Sequence, residues 1–159
     1  MAVAVLVHFT CNFIYGILYT VYIKMLLYHY YLLAIQNWCN PSQYRIHGLW
    51  ANFDATHYPT NCNQSNFSLL ELNANQTLVS LMNLHWNNNC NNQTSEQLWE
   101  HEYNKHGKCI TLQTGITQNE FFGKTIELFD LTKTNKNTCF DLDFQEIDCL
   151  IYSDNYSVT

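Results

Sequence analysis

The segment Leu98–Cys109, LWEHEYNKHGKC, gathers two histidines, a glutamate and a lysine between His101 and His106, flanks them with Trp99 and Tyr103, and ends on a cysteine. Charged residues make up only 13% of the chain, so such a concentration restricts what the segment can become. If residues 99–106 are helical, each residue advances about 100° around the axis. His101 and Lys105 then stack on one side, as do Glu102 and His106. The four side chains span an arc of roughly 140°, which is one wall of a cleft. Trp99 and Tyr103 pack beside that wall, and Gly107 reads as the helix stop.

Two other readings compete. The zinc-protease helix is H-E-x-x-H, with histidines four apart. Here they are five apart, and Lys105 puts a cation between them. The geometry a metal ion demands is strict, so no metal site is expected. A solvated charged face is the other reading, but surface runs rarely combine His, Glu and His with flanking Trp and Tyr.

A second histidine segment, RIHGLW at 45–50, reads as a short strand ending at Gly48 that points His47 from a sheet towards a neighbour. Two imidazoles with fixed cations nearby suit acid–base chemistry on a phosphate ester.

These segments, IHGLW and WEHEYNKHGKC, resemble the two active-site segments of the secreted acid endoribonucleases of the ribonuclease T2 family. YYLLAIQNW at 30–38, GLWANFDATHYPTNC at 48–62, QNEFFGKTIELFD at 118–130 and FQEIDC at 144–149 resemble its flanking elements, so the resemblance covers residues 28–150. It implies a metal-independent transesterification of single-stranded RNA, with no cofactor. His106 would be the base, His47 the acid, and Glu102 and Lys105 would stabilise the phosphorane. His101 would hold the phosphate, and Trp50, Gln36 and Tyr58 would contact bases. DNA lacks the 2′-hydroxyl nucleophile and cannot react. Stacking on aromatic faces implies loose base preference. The chain departs from the family pattern at Ala51, Leu98, Tyr103 and Lys108, none of which is a proton-transfer group.

The formal net charge is −6 with seven histidines neutral, which excludes binding RNA through a broad basic surface. Protonating every histidine takes the chain to +1, a switch centred near pH 6.5 for ordinary imidazoles. The expectation is an acidic optimum and the S-like rather than the self-incompatibility branch.

Seven cysteines without a C-x-x-C pair point to an oxidising compartment. The resemblance implies a bridge between Cys62 and Cys109, which would clasp the two histidine segments together. In the family each of Cys139 and Cys149 bonds a partner further along the chain; without those partners here the two are expected to pair with each other, and the pairing of Cys39, Cys90 and Cys11 is left open. Sequons at Asn63, Asn66, Asn75, Asn92 and Asn155 agree with export, to the extracellular space or an endomembrane or vacuolar lumen. Residues 1–24 form a hydrophobic segment of signal or anchor type, apolar enough over 1–23 to contact a membrane.

Residues 25–159 read as one domain, expected to act as a monomer. Leucines over 67–86 predict one helix, 118–130 a second, and 87–95 a polar loop. Strands are expected at 30–37, 44–50 and 143–152, giving an α+β fold with an antiparallel sheet and helices packed on it. Against the family pattern, the stretch before Cys139 and the tail after Cys149 are short. An alternative function remains on the same scaffold: a non-catalytic secreted or membrane-tethered glycoprotein that acts by binding.

Overall fold

The computed structural model describes residues 29–37, 42–88, 93–133 and 135–149. The apolar N-terminal segment, Cys11, Cys39, Cys90, Asn92 and Asn155 lie outside the described residues.

The chain builds an α+β domain around a four-stranded antiparallel sheet of order β2-β1-β3-β4. β1 (Tyr30–Gln36) lies between β2 (Arg45–Asn52) and β3 (Thr138–Phe140), and β4 (Glu146–Ile147) closes the far edge. Leu33 pairs with Leu49 and Tyr31 with Ala51. Directly opposed residues share a face, and these four are buried in the main core.

The β1–β2 ladder changes register once. Ala34 faces Gly48 but Ile35 faces Ile46, which leaves His47 as the extra residue of a β-bulge. β2 therefore continues to Asn52 rather than ending at Gly48. The strand expected over 143–152 is also corrected. Among the described residues of that stretch, pairing is confined to β4, and Phe144 adopts a left-handed φ of 61° in the turn between β3 and β4; residues 150–152 lie outside the described residues.

The helices are set by their caps. The leucine-rich stretch 67–86 forms two helices rather than one, α1 (Leu69–Asn73) and α2 (Gln76–His85). Ser68 accepts from Glu71 N, and Asn75 accepts from Leu78 N. Each cap satisfies an orphan donor and starts a new helix. Leu72, Leu78 and Met82 face the core, whereas Leu70 and Leu84 are exposed. Capping boxes start α3 (Ser95–Glu102) at Thr94 and α5 (Gln118–Thr132) at Thr117.

From α3 the chain passes through a π-turn (Tyr103–Gly107) directly into α4 (Lys108–Thr114). Gly107 is thus not a helix stop; its φ is −59°, an ordinary helical value, and the left-handed stop is Gly115 at φ 78°. Gly107 is small for a packing reason. A Cβ there would lie 2.8 Å from Tyr103 Cδ2 and 2.9 Å from Phe121 Cε1. Those two rings belong to a buried aromatic cluster with Trp86 and Phe122.

The burial pattern accounts for the π-turn. Leu98, Glu102, His106 and Ile110 are all buried, a repeat of four. In a straight α-helix that repeat drifts by about 40° at each step. A π-turn closes its hydrogen bonds over five residues instead of four and absorbs the drift. It turns His106 inward and leaves Lys105 half-buried at the edge.

Candidate active site

His47 and Trp50 are three residues apart, which in a regular strand places them on opposite faces. The bulge at His47 shifts the phase by one, and their rings meet edge to face with centroids 5.4 Å apart. The bulge is anchored from below: Trp86 Nε1 donates to the His47 carbonyl at 2.8 Å, and Trp99 Nε1 donates to the Trp86 carbonyl at 2.6 Å. Two indole N–H groups thereby tie α3 to the bulge.

Glu102, at the end of α3, lies at the centre of the site and is 2% exposed. Trp50 Nε1 donates to its Oε2 at 2.8 Å, His47 Nε2 is 3.3 Å from Oε1, and His101 Nε2 is 3.9 Å from Oε1. Burial pushes the Glu102 carboxyl up, but the bonds from His47 and Trp50 and the charges of His47 and His106 outweigh it and hold it below its ordinary value. Gly48 makes this arrangement possible, since a Cβ there would collide with Glu102 Oε2 and Trp50 Nε1.

His106 is 3% exposed, stacked at 5.0 Å on Trp50, with the Tyr58 ring at 5.7 Å. Its Nδ1 is buried and, among the described residues, has no hydrogen-bond partner. Burial pushes its pKa down to about 4, with Lys105, His101 and His47 adding to the effect and Glu102 opposing it. His106 therefore stays neutral well into acid, able to accept a proton.

The four ionisable groups of the helix separate into two tiers. Glu102 and His106 point inward, while His101 and Lys105 line an outer groove with Asn104 and Asn61. Gln36 is buried at the end of β1, where its amide donates to the Ile46 carbonyl beside the bulge. Tyr58 is half exposed at the rim. Among the described residues, no three of His, Cys, Asp and Glu are grouped to hold a metal ion.

A loop straps the π-turn in place. Asn61 N, in a residue held at φ 54°, donates to the Lys105 carbonyl at 2.9 Å. Cys62 is bonded to Cys109, Phe67 N donates to Asn104 Oδ1, and Lys108 Nζ donates to Asn66 Oδ1. A second disulfide joins Cys139 and Cys149. Both bridges were expected. Sequence reasoning read Gly48 only as a strand end and gave Trp86 no part in the site, although a glycine directly after a candidate site histidine is a signal that something must approach closely.

A disulfide-bonded α+β protein with two imidazoles around one buried carboxylate is the class that this fold and site define. The sequence pattern of the Ribonuclease T2 family matches residues 28–139, and the chain belongs to that family. It is 33% identical over 88 residues to Ribonuclease 1 of Arabidopsis thaliana, covering 55% of this chain and 36% of that protein. It is 31% identical over 101 residues to Extracellular ribonuclease LE of Solanum lycopersicum, covering 58% and 42%. The chain thus spans well under half the length of either relative. Among solved structures, trichomaglin, described as a novel S-like ribonuclease, superposes with a TM-score of 0.60 at 20% identity, covering 77% of this chain and 91% of that one.

Proposed function

We propose that this chain is an endoribonuclease that cleaves single-stranded RNA by metal-independent transesterification. One observation carries the reading: a buried histidine kept neutral in acid stands on Trp50, across the same indole from a second histidine in contact with a buried carboxylate.

In the reaction, neutral His106 takes the proton of a ribose 2′-hydroxyl. The 2′-oxygen bonds to the adjacent phosphorus, and the bond from phosphorus to the 5′-oxygen breaks. His47 gives its proton to that leaving oxygen. The products are a 2′,3′-cyclic phosphate and a free 5′-hydroxyl; water then opens the ring to a 3′-phosphate with the two histidines exchanging roles. Glu102 orients His47, while Lys105 and His101 face the negative charge of the phosphorane. No step calls on a metal, because the 2′-hydroxyl is an internal nucleophile already in place. DNA lacks it. Trp50 and Tyr58 offer aromatic faces that accept any base.

The two disulfides suit an oxidising compartment, and one relative bears the name extracellular ribonuclease. The chain is accordingly assigned to the secretory route, as a monomer. Asn63, Asn66 and Asn75 are exposed sequon positions; Asn75 caps α2 through Oδ1, which leaves its nitrogen for a glycan.

The test is incubation of the oxidised full-length chain with RNA at about pH 5 in EDTA, beside His106→Ala. Cleavage to cyclic-phosphate ends by the wild type alone supports the proposal. Equal cleavage by both, or none by either, overturns it and favours the non-catalytic binding glycoprotein.

A further inference from the structure

Asn66 opens the sequon Asn66-Phe67-Ser68 and is exposed. Its amide has a fixed orientation. Lys108 Nζ donates to Asn66 Oδ1 at 2.9 Å, and an ammonium can only donate, so the oxygen is the atom held there. Among the described residues, the amide nitrogen, which is the atom that carries a glycan, has no acceptor.

Asn66 also lines a cavity of about 280 Å3 beside the π-turn, between the loop at 64–66, the end of α4 and the start of α5. Pockets for drug-sized ligands measure about 300–1,000 Å3, so this one suits a single pyranose ring rather than a chain. Gln64, Ser65 and Glu71 line it with polar side chains, and Tyr103 and Ile116 with apolar surface. Among the described residues, none of those three polar side chains makes a hydrogen bond. Gln118 holds the cavity in shape: its Oε1 accepts from Ser68 N at 2.7 Å and its Nε2 donates to the Ser68 carbonyl at 3.0 Å, which joins α1 to α5.

We infer that Asn66 is glycosylated and that the first sugar, N-acetylglucosamine, turns back into this cavity as a fixed part of the fold. Its hydroxyls meet Gln64, Ser65 and the Glu71 carboxylate, and its acetamido methyl lies against Tyr103 and Ile116. In the transfer the Asn66 nitrogen bonds to C1 of a sugar carried on a lipid pyrophosphate. The bond from C1 to the phosphate oxygen breaks, the pyrophosphate leaves with the electron pair, and the amide gives up one proton. The rest of the oligosaccharide extends into solvent. The seated ring fastens the loop at 64–66 to the π-turn, beside the contact of Lys108 with Asn66. The inference rests on the proposed secretory route and not on RNA cleavage.

The test uses the full-length chain made in a eukaryotic secretory host that leaves high-mannose glycans, with Ser68→Thr and Ser68→Asp alongside. Ser68 Oγ accepts from Glu71 N as the cap of α1. Both substitutions keep an oxygen for that cap, but only threonine keeps the sequon. Peptide mass spectrometry should find Asn66 occupied in the wild type and in Ser68→Thr. Endoglycosidase H leaves one sugar at each site. Peptide N-glycosidase F leaves none and converts the asparagine to aspartate, which still accepts from Lys108. Trimming to one sugar should leave the melting temperature unchanged. Removing that sugar should lower it by about 2–4 °C, the worth of one net hydrogen bond in a chain of this length. In Ser68→Asp the two enzymes should give equal melting temperatures. A bare Asn66 beside an occupied Asn63 or Asn75 overturns the inference alone, and bare sequons throughout overturn the secretory route with it. Equal melting temperatures after the two enzymes in the wild type, or an undiminished difference in Ser68→Asp, show that the cavity holds no sugar.

Discussion

His47 and Trp50 point to the same side of β2 although three residues separate their chain positions, with ring centroids 5.4 Å apart. Alternation in a strand forbids this unless one residue is left out of the ladder, and His47 is that residue. Bulges re-aim side chains next to functional sites. Here the bulge brings a histidine and an indole onto one carboxylate, each through its own oxygen of Glu102.

Gly48 follows the bulge and faces Glu102. Gly48→Ala should push the carboxylate off Trp50 Nε1. A displacement near 1 Å in such a site costs about 100-fold in rate. Measured kcat/KM on RNA should fall by about that factor while circular dichroism stays unchanged; full activity would show that the close approach is dispensable.

The pKa of His106, about 4 against an ordinary 6.5, has two consequences. In the folded chain His106, the proposed base, is neutral above about pH 4, so the acid limb of kcat/KM should bend there. For stability the sign runs the other way from a stabilising cation. Below pH 6.5 the unfolded chain binds a proton that the folded chain refuses until about pH 4, so stability falls as pH drops across that window. The loss is at most about 1.4 kcal/mol per pH unit. Urea unfolding midpoints for His106→Gln should show a flatter pH dependence over the same window, and an unchanged slope would contradict the burial of a neutral imidazole. Glu102 adds its own loss further into acid, because its carboxyl is held below its unfolded value of 4.5.

Replacing a helix-interior glycine with alanine ordinarily stabilises by roughly 1 kcal/mol. Gly107→Ala should do the reverse. Its methyl group meets Tyr103 and Phe121 in the buried aromatic cluster, and overpacking of this kind costs roughly 1–3 kcal/mol. A lowered melting temperature is the expected result. A raised one would mean that the two rings yield without strain.

Opening the bond between Cys62 and Cys109 by the double substitution to Ala removes a loop closure of 47 residues, worth roughly 3–4 kcal/mol in the chain-entropy model. It also loosens the strap that holds Asn61 N on the Lys105 carbonyl. Activity should therefore fall even below the melting transition. Retained activity there would show that the π-turn holds its shape without the strap.

The chemical content of the site was legible from the chain. His101, Glu102, Lys105 and His106 on one helical arc, with His47 in a strand, needed only residue types and spacing, and the α+β class followed from the apolar periodicities. The partners Cys62 and Cys109 came through the family likeness. The two devices that arrange these groups were not legible. Gly107 looked like a stop because glycine ends helices more often than it relieves crowding, and only the position of Phe121, on another helix, separates the two meanings. The strand looked finished at Gly48 because a bulge has no local signature; it exists in the pairing with β1.

The sequence by itself determined which groups this protein brings to its site and their approximate order along a helix and a strand, because residue type and period are local properties. Only the tertiary structure decided their phase. The bulge at His47 and the π-turn at Tyr103–Gly107 each shift the chain by about one residue, and such shifts are stabilised by contacts between elements: Trp86 on the His47 carbonyl, Asn61 on the Lys105 carbonyl, and Phe121 against Gly107.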